Sequence, residues 1–155
     1  MRHQLESGIR CKIPDDVPIM SWLVKWAAEV LSKYAPGDDG RTPYERIRQE
    51  TCVVPIAPFG ETVLYLPFTI VKRSKGQPVK KMGIYLGTHE RTEESMIGTR
   101  NGVIKCRTMD RMVAIERWNQ EVVLGMKGTT WEPVPGSDSQ HILVNINEAG
   151  IAQDE

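Results

Sequence analysis

Residues 59–109 read FGETVLYLPFTIVKRSKGQPVKKMGIYLGTHERTEESMIGTRNGVIKCRTM, and this stretch decides the fold. It contains three runs of β-forming residues, at 62–71, 82–89 and 95–109. The pair Asn101-Gly102 divides the last run, and such a pair favours a tight hairpin because both residues tolerate a positive φ angle. The sequence therefore predicts a small antiparallel meander in the middle of the chain.

Side chains in these runs alternate between two faces, as they do in a half-buried strand. In the second run, three side chains are expected to point inward: Met82, Ile84 and Leu86. In the last run, the alternation places Lys105 and Arg107 opposite the apolar side chains Ile104 and Cys106. Four or five short strands cannot bury two open faces, so we expect a small closed or half-closed β-barrel.

An amphipathic helix is expected over residues 18–34, where apolar residues recur at steps of three and four. We expect Asp16 to cap this helix and Pro18 to lie in its first turn. Trp22 and Trp26 fall four residues apart on the apolar face, a spacing typical of core or interface packing.

Shorter helical segments are expected on both sides of the meander. Thr42-Pro43-Tyr44-Glu45 is a capping box, which predicts a helix to about residue 49. Residues 1–13 are typical of the end of a helix that closes at Gly8. The chain is thus expected to be α+β in three parts: helices over residues 1–50, an antiparallel barrel over 51–112, and a short helix (117–126) with an acidic, partly disordered tail over 113–155.

The zero net charge of the chain conceals an uneven distribution. Residues 1–50 contain eight Lys/Arg and eight Asp/Glu, whereas residues 51–112 contain ten and five, and residues 113–155 contain two and seven. The β region therefore has a net charge of +5 and the tail of −5. A basic module is the pattern expected for a polyanionic partner, although a surface that pairs only with its own acidic tail has the same composition.

Composition excludes several classes of protein. No apolar run approaches the roughly 20 residues that a membrane-spanning helix requires, and we expect neither a signal peptide nor a membrane partner. The three cysteines lie far apart and form no CxxC pair, which favours a reducing intracellular compartment and no metal site. His89 and Cys106 belong to no recognisable set of nucleophile, base and orienting group, so we expect a solvated histidine, a core cysteine and no independent catalysis.

Three short landmarks follow one another along the chain: Thr42-Pro43-Tyr44-Glu45, Phe59-Gly60 and Leu86-Gly87. In this order they resemble the integrases of copia-type long-terminal-repeat retrotransposons. In that family a helical end of the catalytic core is followed by a TPYE segment, a Phe-Gly turn that opens a small β-domain, and a strand that ends in Leu-Gly. The resemblance covers roughly residues 1–136 and includes Ile97-Gly98-Thr99 and the segment 127–133.

The resemblance implies a C-terminal fragment, made of the end of an RNase H-like core and an SH3-like domain. In the family, three carboxylates hold two divalent metal ions, and such chemistry requires several converging carboxylates. In this chain the only acidic residue near the expected position of one of these carboxylates is Glu6, and we expect it at the far end of its helix, beyond the catalytic position. The resemblance therefore implies no catalytic residue, no metal and no other cofactor here. It also implies that an expressed protein would be nuclear.

The SH3-like domain of these integrases helps to bind DNA, mainly through the backbone. The resemblance therefore implies a phosphate-contacting surface made by the cations of the loop 72–81 and of the last run. These residues are Lys72, Arg73, Lys75, Lys80, Lys81, Lys105 and Arg107.

Two alternative functions remain open from the sequence. One is a protein-interaction module, because SH3-like barrels also bind extended peptides in aromatic grooves, here with Tyr65, Phe68 and Tyr85 as candidates. The other is a decayed gene fragment without a selected function. We also expect the Trp22/Trp26 helix face to be partly uncovered, and so open to a protein partner or to self-association.

Overall fold

A computed structural model describes residues 2–52, 57–67, 76, 80–137 and 140–144. These residues form an α+β fold with one five-stranded antiparallel sheet, which confirms the predicted class. The helices are α1 (Arg2–Ile9), α2 (Ile19–Tyr34), α3 (Pro43–Arg48) and α4 (Gln120–Gly125). The strands are β1 (Thr62–Tyr65), β2 (Lys81–Thr88), β3 (Ser95–Thr99), β4 (Gly102–Cys106) and β5 (Met109–Arg111).

Strand β2 belongs to two ladders. Its first half pairs with β1, from Tyr65↔Lys81 to Thr62↔Ile84, and its second half pairs with β3. Strand β5 adds to the free side of β1 and β4 to the free side of β3, so the order is β4-β3-β2-β1-β5. The middle of β2 is therefore the centre of the sheet.

The sheet is strongly curled. Strands β4 and β5 are its two outer strands, and in a flat sheet they would lie about 19 Å apart. Yet β4 ends at Cys106 and β5 begins at Met109, and three residues of chain span at most about 11 Å. The two edges must therefore approach one another at this connection.

The predicted hairpin is confirmed, but its turn is displaced by one residue. Arg100 and Asn101 form the turn, while Gly102 opens β4 opposite Thr99. Gly102 has a φ of 145°, and a Cβ there would lie 2.9 Å from the carbonyl oxygen of Pro133. Gly102 therefore allows both the turn and the close approach of the later segment that contains Pro133.

Two glycines allow the N-terminal helices to contact the sheet. Gly87 lies in a bulge of β2 with a φ of 106°, and a Cβ there would be 2.9 Å from the Trp26 ring of α2. Gly60 has a φ of 80°, and a Cβ there would be 2.4 Å from Leu5 Cδ1 of α1. The Phe-Gly and Leu-Gly landmarks are therefore the points where helices dock on strands.

The core lies between α2 and the sheet. Trp26 stacks on Phe59 with ring centroids 6.0 Å apart and meets Tyr85 edge-on at 6.1 Å. Trp22 and Trp26 are both buried within the chain, so the expectation of an uncovered face is wrong for these two residues. Further along the same apolar stripe, Leu31 is 63% exposed, so the end of α2 is uncovered as expected.

The inward set predicted for β2 is partly wrong. Ile84 and Leu86 are buried, but Met82 is 47% exposed, and Tyr85 on the opposite face is fully buried. The middle of β2 is covered on both faces, by Trp26 near Tyr85 and by Met126 near Leu86 and Gly98, whereas the start of the strand is uncovered.

Helix ends differ from the sequence prediction in two places. Pro18 occupies the N-cap of α2 and no side chain caps it, so the assignment of Asp16 is wrong. Helix α1 continues through Gly8, which accommodates the ring of Trp118, and the chain turns at Arg10 with a φ of 56°. The capping box of α3 is confirmed, with Thr42 and Glu45 each accepting the backbone N–H of the other.

A short segment near the C-terminus extends the sheet. Leu143 forms a parallel bridge with Ile104 of β4, and its carbonyl accepts the N–H of Lys105 at 3.0 Å. Ile142 is buried beside it. The end of the tail predicted to be partly disordered, from residue 145 onward, lies outside the described residues, as does most of the loop 72–81. No helix in the described part of the chain has the length and apolarity to cross a membrane.

Candidate nucleic-acid interface

The structure describes four of the seven residues predicted to contact phosphate. They are Lys80, Lys81, Lys105 and Arg107; the other three, Lys72, Arg73 and Lys75, lie outside the described residues. The four fall into two groups, one at the start of β2 and one around the end of β4.

The sheet brings Lys81 and Arg107 towards one another. Lys81 and Met109 both pair with Tyr65, from opposite sides of β1, which places their Cα atoms about 10 Å apart. Arg107 precedes Met109 by two residues, so its Cα is within about 17 Å of that of Lys81. The pairings therefore place the backbone of these two residues in the same part of the sheet.

Lys105 and Arg107 share one carboxylate. Lys105 Nζ lies 3.5 Å from Glu94 Oε2, and Arg107 Nε lies 3.3 Å from Glu94 Oε1. Burial of Glu94 raises its pKa, but the hydroxyl of Thr92, Arg107 and Lys105 together outweigh burial and hold it below the usual value. Glu94 is therefore charged at neutral pH, and the group of three carries a net charge of +1.

The four described cations differ in exposure and in their ion pairs. The Arg107 side chain is 88% exposed, whereas that of Lys105 is only 21% exposed beside Glu94. Lys80 pairs with Asp110 of β5, while Lys81 is exposed and forms no ion pair with another described residue. Of the four predicted residues that the structure describes, Lys81 and Arg107 are thus the best placed to meet a ligand.

Sequence reasoning missed two further cations. Arg100 is exposed in the β3–β4 turn, and Lys127 is exposed where its backbone N–H donates to Thr99 at 3.0 Å. Neither forms an ion pair within the described ranges. Arg100 stands directly before the Asn-Gly pair, where a turn displays its side chain; nothing in the sequence marked Lys127.

The side chains considered for catalysis are partly or fully buried, or take part in contacts that hold the fold together. Burial raises the pKa of the Cys106 thiol to about 11, as expected for a cysteine in the core. Burial, together with Lys105 and Lys25, lowers the pKa of His89, which keeps the ring neutral at pH 7. Glu6 accepts the N–H of Ile13 and pairs with Arg2, so it ties α1 to the next segment. No group of three potential metal ligands occurs in the part of the chain that the structure describes.

The residues proposed for an aromatic peptide groove are not on the surface. Tyr65 and Tyr85 are buried, and desolvation raises the pKa of each hydroxyl to about 12. The assignment of these two residues to an open groove is therefore wrong, and Phe68 lies outside the described residues.

A cleft of about 380 Å³ lies between α2, α3 and residues 88–93. Its charged lining has both signs: Lys25, Lys33 and Arg48 against Glu29, Glu90 and Glu93. Lys33 already pairs with Glu29 at 2.6 Å, and Glu29 accepts the hydroxyl of Thr88 at 2.8 Å. The charged lining of the cleft is therefore neither uniformly positive nor uniformly negative, and it does not favour a charged ligand of either sign.

Comparison of the chain with protein-family models, with curated proteins and with solved structures finds no match.

Proposed function

We propose that this chain binds DNA through the phosphate backbone, without reading base sequence and without catalysing a reaction. The proposal includes the finer fold, an SH3-like barrel, and the origin in a copia-type integrase. The observation that carries it is the curled sheet, whose shared strand β2 and short β4–β5 connection bring Lys81 and Arg107 to one region. The net positive charge of residues 51–112 favours a polyanion as the partner of that region.

The chemistry of the two side chains fits phosphate. Arg107 uses only its Nε towards Glu94 in the described contacts, so its two terminal nitrogens are available for two phosphate oxygens. Lys81 supplies a mobile point charge. Such contacts fix a protein on the duplex but carry no base information.

The first prediction concerns the salt dependence of duplex binding. If about four phosphates are neutralised, log K should fall with log salt at a slope of about −3 to −4. Replacing Lys81 and Arg107 together by alanine should make the slope shallower by roughly 2 and weaken binding equally on different duplexes. Fluorescence anisotropy with two random duplexes, from about 50 to 200 mM salt, measures both quantities.

The matched control is Arg41→Ala, which removes an exposed cation in front of α3. It changes the net charge but should leave the slope unchanged. Lys105→Ala should have a smaller effect than Arg107→Ala, because Lys105 is largely covered. No binding to duplex DNA at about 50 mM salt by the folded protein would refute the proposal and favour a protein-interaction module.

A second prediction concerns the acidic tail. Residues 145–155 include Glu148, Asp154 and Glu155, and they follow directly after the segment bridged to β4 beside Lys105. Ending the chain after Val144 should strengthen duplex binding on the order of threefold at low salt, because it removes three negative charges from a chain that binds a polyanion.

The residue at which the chain is cut decides whether a change in duplex affinity can be separated from a change in stability. Ending the chain after Ser137 also removes Ile142 and Leu143 from β4, so it should lower thermal stability as well. The shorter truncation serves as the clean variant and the longer as its control. Unchanged duplex affinity after removal of residues 145–155 would show that the tail does not act on this surface.

A further inference from the structure

Backbone groups of the loop of residues 128–133 form hydrogen bonds to two separate parts of the fold. Its Gly128 carbonyl accepts the indole N–H of Trp22 at 2.9 Å, and the N–H of Thr130 donates to Ser21 Oγ at 3.2 Å. At its far end the Pro133 carbonyl accepts the N–H of Val103 at 2.8 Å. Within the loop, Thr129 donates to the Glu132 carbonyl at 2.9 Å. The loop is thus attached to α2 and to the start of β4.

Trp131 lies at the apex of this loop and is 63% exposed. The other tryptophans are covered: Trp22 and Trp26 are in the core, and Trp118 is partly buried against Gly8. A large ring left in water on a fixed loop forgoes the stabilisation of burial, and tryptophan is enriched among the side chains that bind partners.

The charge around the loop indicates what that partner is. Lys127 precedes the loop, and its N–H bonds the carbonyl of the Thr99–Arg100 peptide, so the two cations stem from adjoining points. Four residues span at most about 14 Å, which bounds the distance between the Cα atoms of Lys127 and Trp131, and Arg100 adjoins Lys127. The acid in the loop is Glu132, whose Oε1 accepts the N–H of Gly136 at 2.9 Å and so is directed towards the chain.

We propose that Trp131, with Lys127 and Arg100, forms a stacking site for an unpaired nucleobase whose adjoining phosphates meet the two cations. This inference rests on the proposed function and adds to it a ligand class, single-stranded nucleic acid or a frayed strand end. A flat ring exposed on a fixed loop accepts any base by stacking, and the neighbouring cations hold the backbone. The site differs from Lys81 and Arg107, which meet duplex phosphates.

The test uses the intrinsic fluorescence of the whole chain. A 12-nucleotide oligo-dT should quench the solvent-accessible part of the emission, because Trp131 is the tryptophan most exposed to water. Trp131→Ala should abolish this quenching and weaken oligo-dT binding about 5- to 150-fold, the range expected for loss of one stacked base. Trp131→Phe should retain most of the affinity. An oligo-U arm distinguishes a deoxyribose from a ribose source of the same chemistry.

The controls separate this inference from the duplex surface. Trp131→Ala should leave the salt slope on duplex DNA unchanged, whereas Lys81→Ala with Arg107→Ala should change that slope and leave the oligo-dT quenching in place. If the protein binds duplex DNA but Trp131→Ala leaves its affinity for oligo-dT unchanged, the stacking site is refuted and the duplex surface is not. Self-association that depends on Trp131, with no quenching by either oligonucleotide, would overturn it in favour of a protein interface. Melting curves establish that each variant is folded.

Discussion

Gly128→Ala should be among the most damaging single substitutions in this protein, with a loss of about 3–5 kcal/mol in the free energy of unfolding. Gly128 has a φ of 96°, and a Cβ there would lie 2.0 Å from the carbonyl oxygen of Pro133. The neighbour is backbone, which cannot rotate away as a side chain can. The loop must therefore open, which breaks the hydrogen bond between Trp22 and the Gly128 carbonyl. Urea unfolding followed by far-UV circular dichroism measures the loss.

Gly136→Ala is the matched control for this effect. Gly136 has a φ of 82°, in the same region of backbone conformation, but a Cβ there meets nothing within 4 Å. Its loss should be limited to the backbone penalty, about 1–2 kcal/mol. Equal losses in the two variants would show that the close approach of Pro133 contributes nothing to stability.

Glu61→Gln should lower the free energy of unfolding by about 3 kcal/mol. Glu61 is 1% exposed, and its two oxygens accept Arg111 at 2.9 and 3.0 Å, while Arg117 Nε lies 3.4 Å away. The carboxylate thereby joins the start of β1 to β5 and to the segment beyond it. An amide keeps the shape but removes the charge and turns N–H donors towards two guanidinium groups.

Asp110→Asn tests whether burial is the cause of that loss. Asp110 pairs with Lys80 on the surface, one residue before Arg111. Exposed ion pairs contribute little, so the change should cost less than about 1 kcal/mol. A similar loss for both variants would mean that the pairing of β1 with β5 does not depend on the buried carboxylate.

Local rules identified much of the fold in advance. The Asn-Gly pair, the capping box at Thr42 and the apolar spacing of residues 18–34 each depend on neighbours in sequence, and each predicted an element that is present. Strand β5 was not predicted as a separate strand: it begins at Met109, the last residue of the run 95–109. Its pairing with β1 depends on residues far away in sequence, which local rules do not consider.

The burial of individual side chains was less predictable. Period two assigned Met82 inward because alternation assumes one covered face, whereas the middle of β2 is covered on both. The buried pairing of Glu61 and the cover of the Trp22/Trp26 face both arise from contacts across the chain. The proximity of Lys127 to Arg100 was missed in the same way, because it depends on the hydrogen bond from the Lys127 N–H to the Thr99 carbonyl, between residues far apart in sequence.

The position of β5 has a consequence for the newly made chain. Strand β1 ends at Tyr65 and its outer partner β5 ends at Arg111, so 46 further residues must be synthesised before that side of β1 can pair. At typical rates of about 5–20 residues per second, the delay is roughly 2–9 seconds. During this time the nascent chain presents an apolar strand edge, which is a template for pairing with another chain. We therefore expect chains whose synthesis stops before residue 109 to aggregate or to be held by chaperones more than chains that extend beyond residue 111.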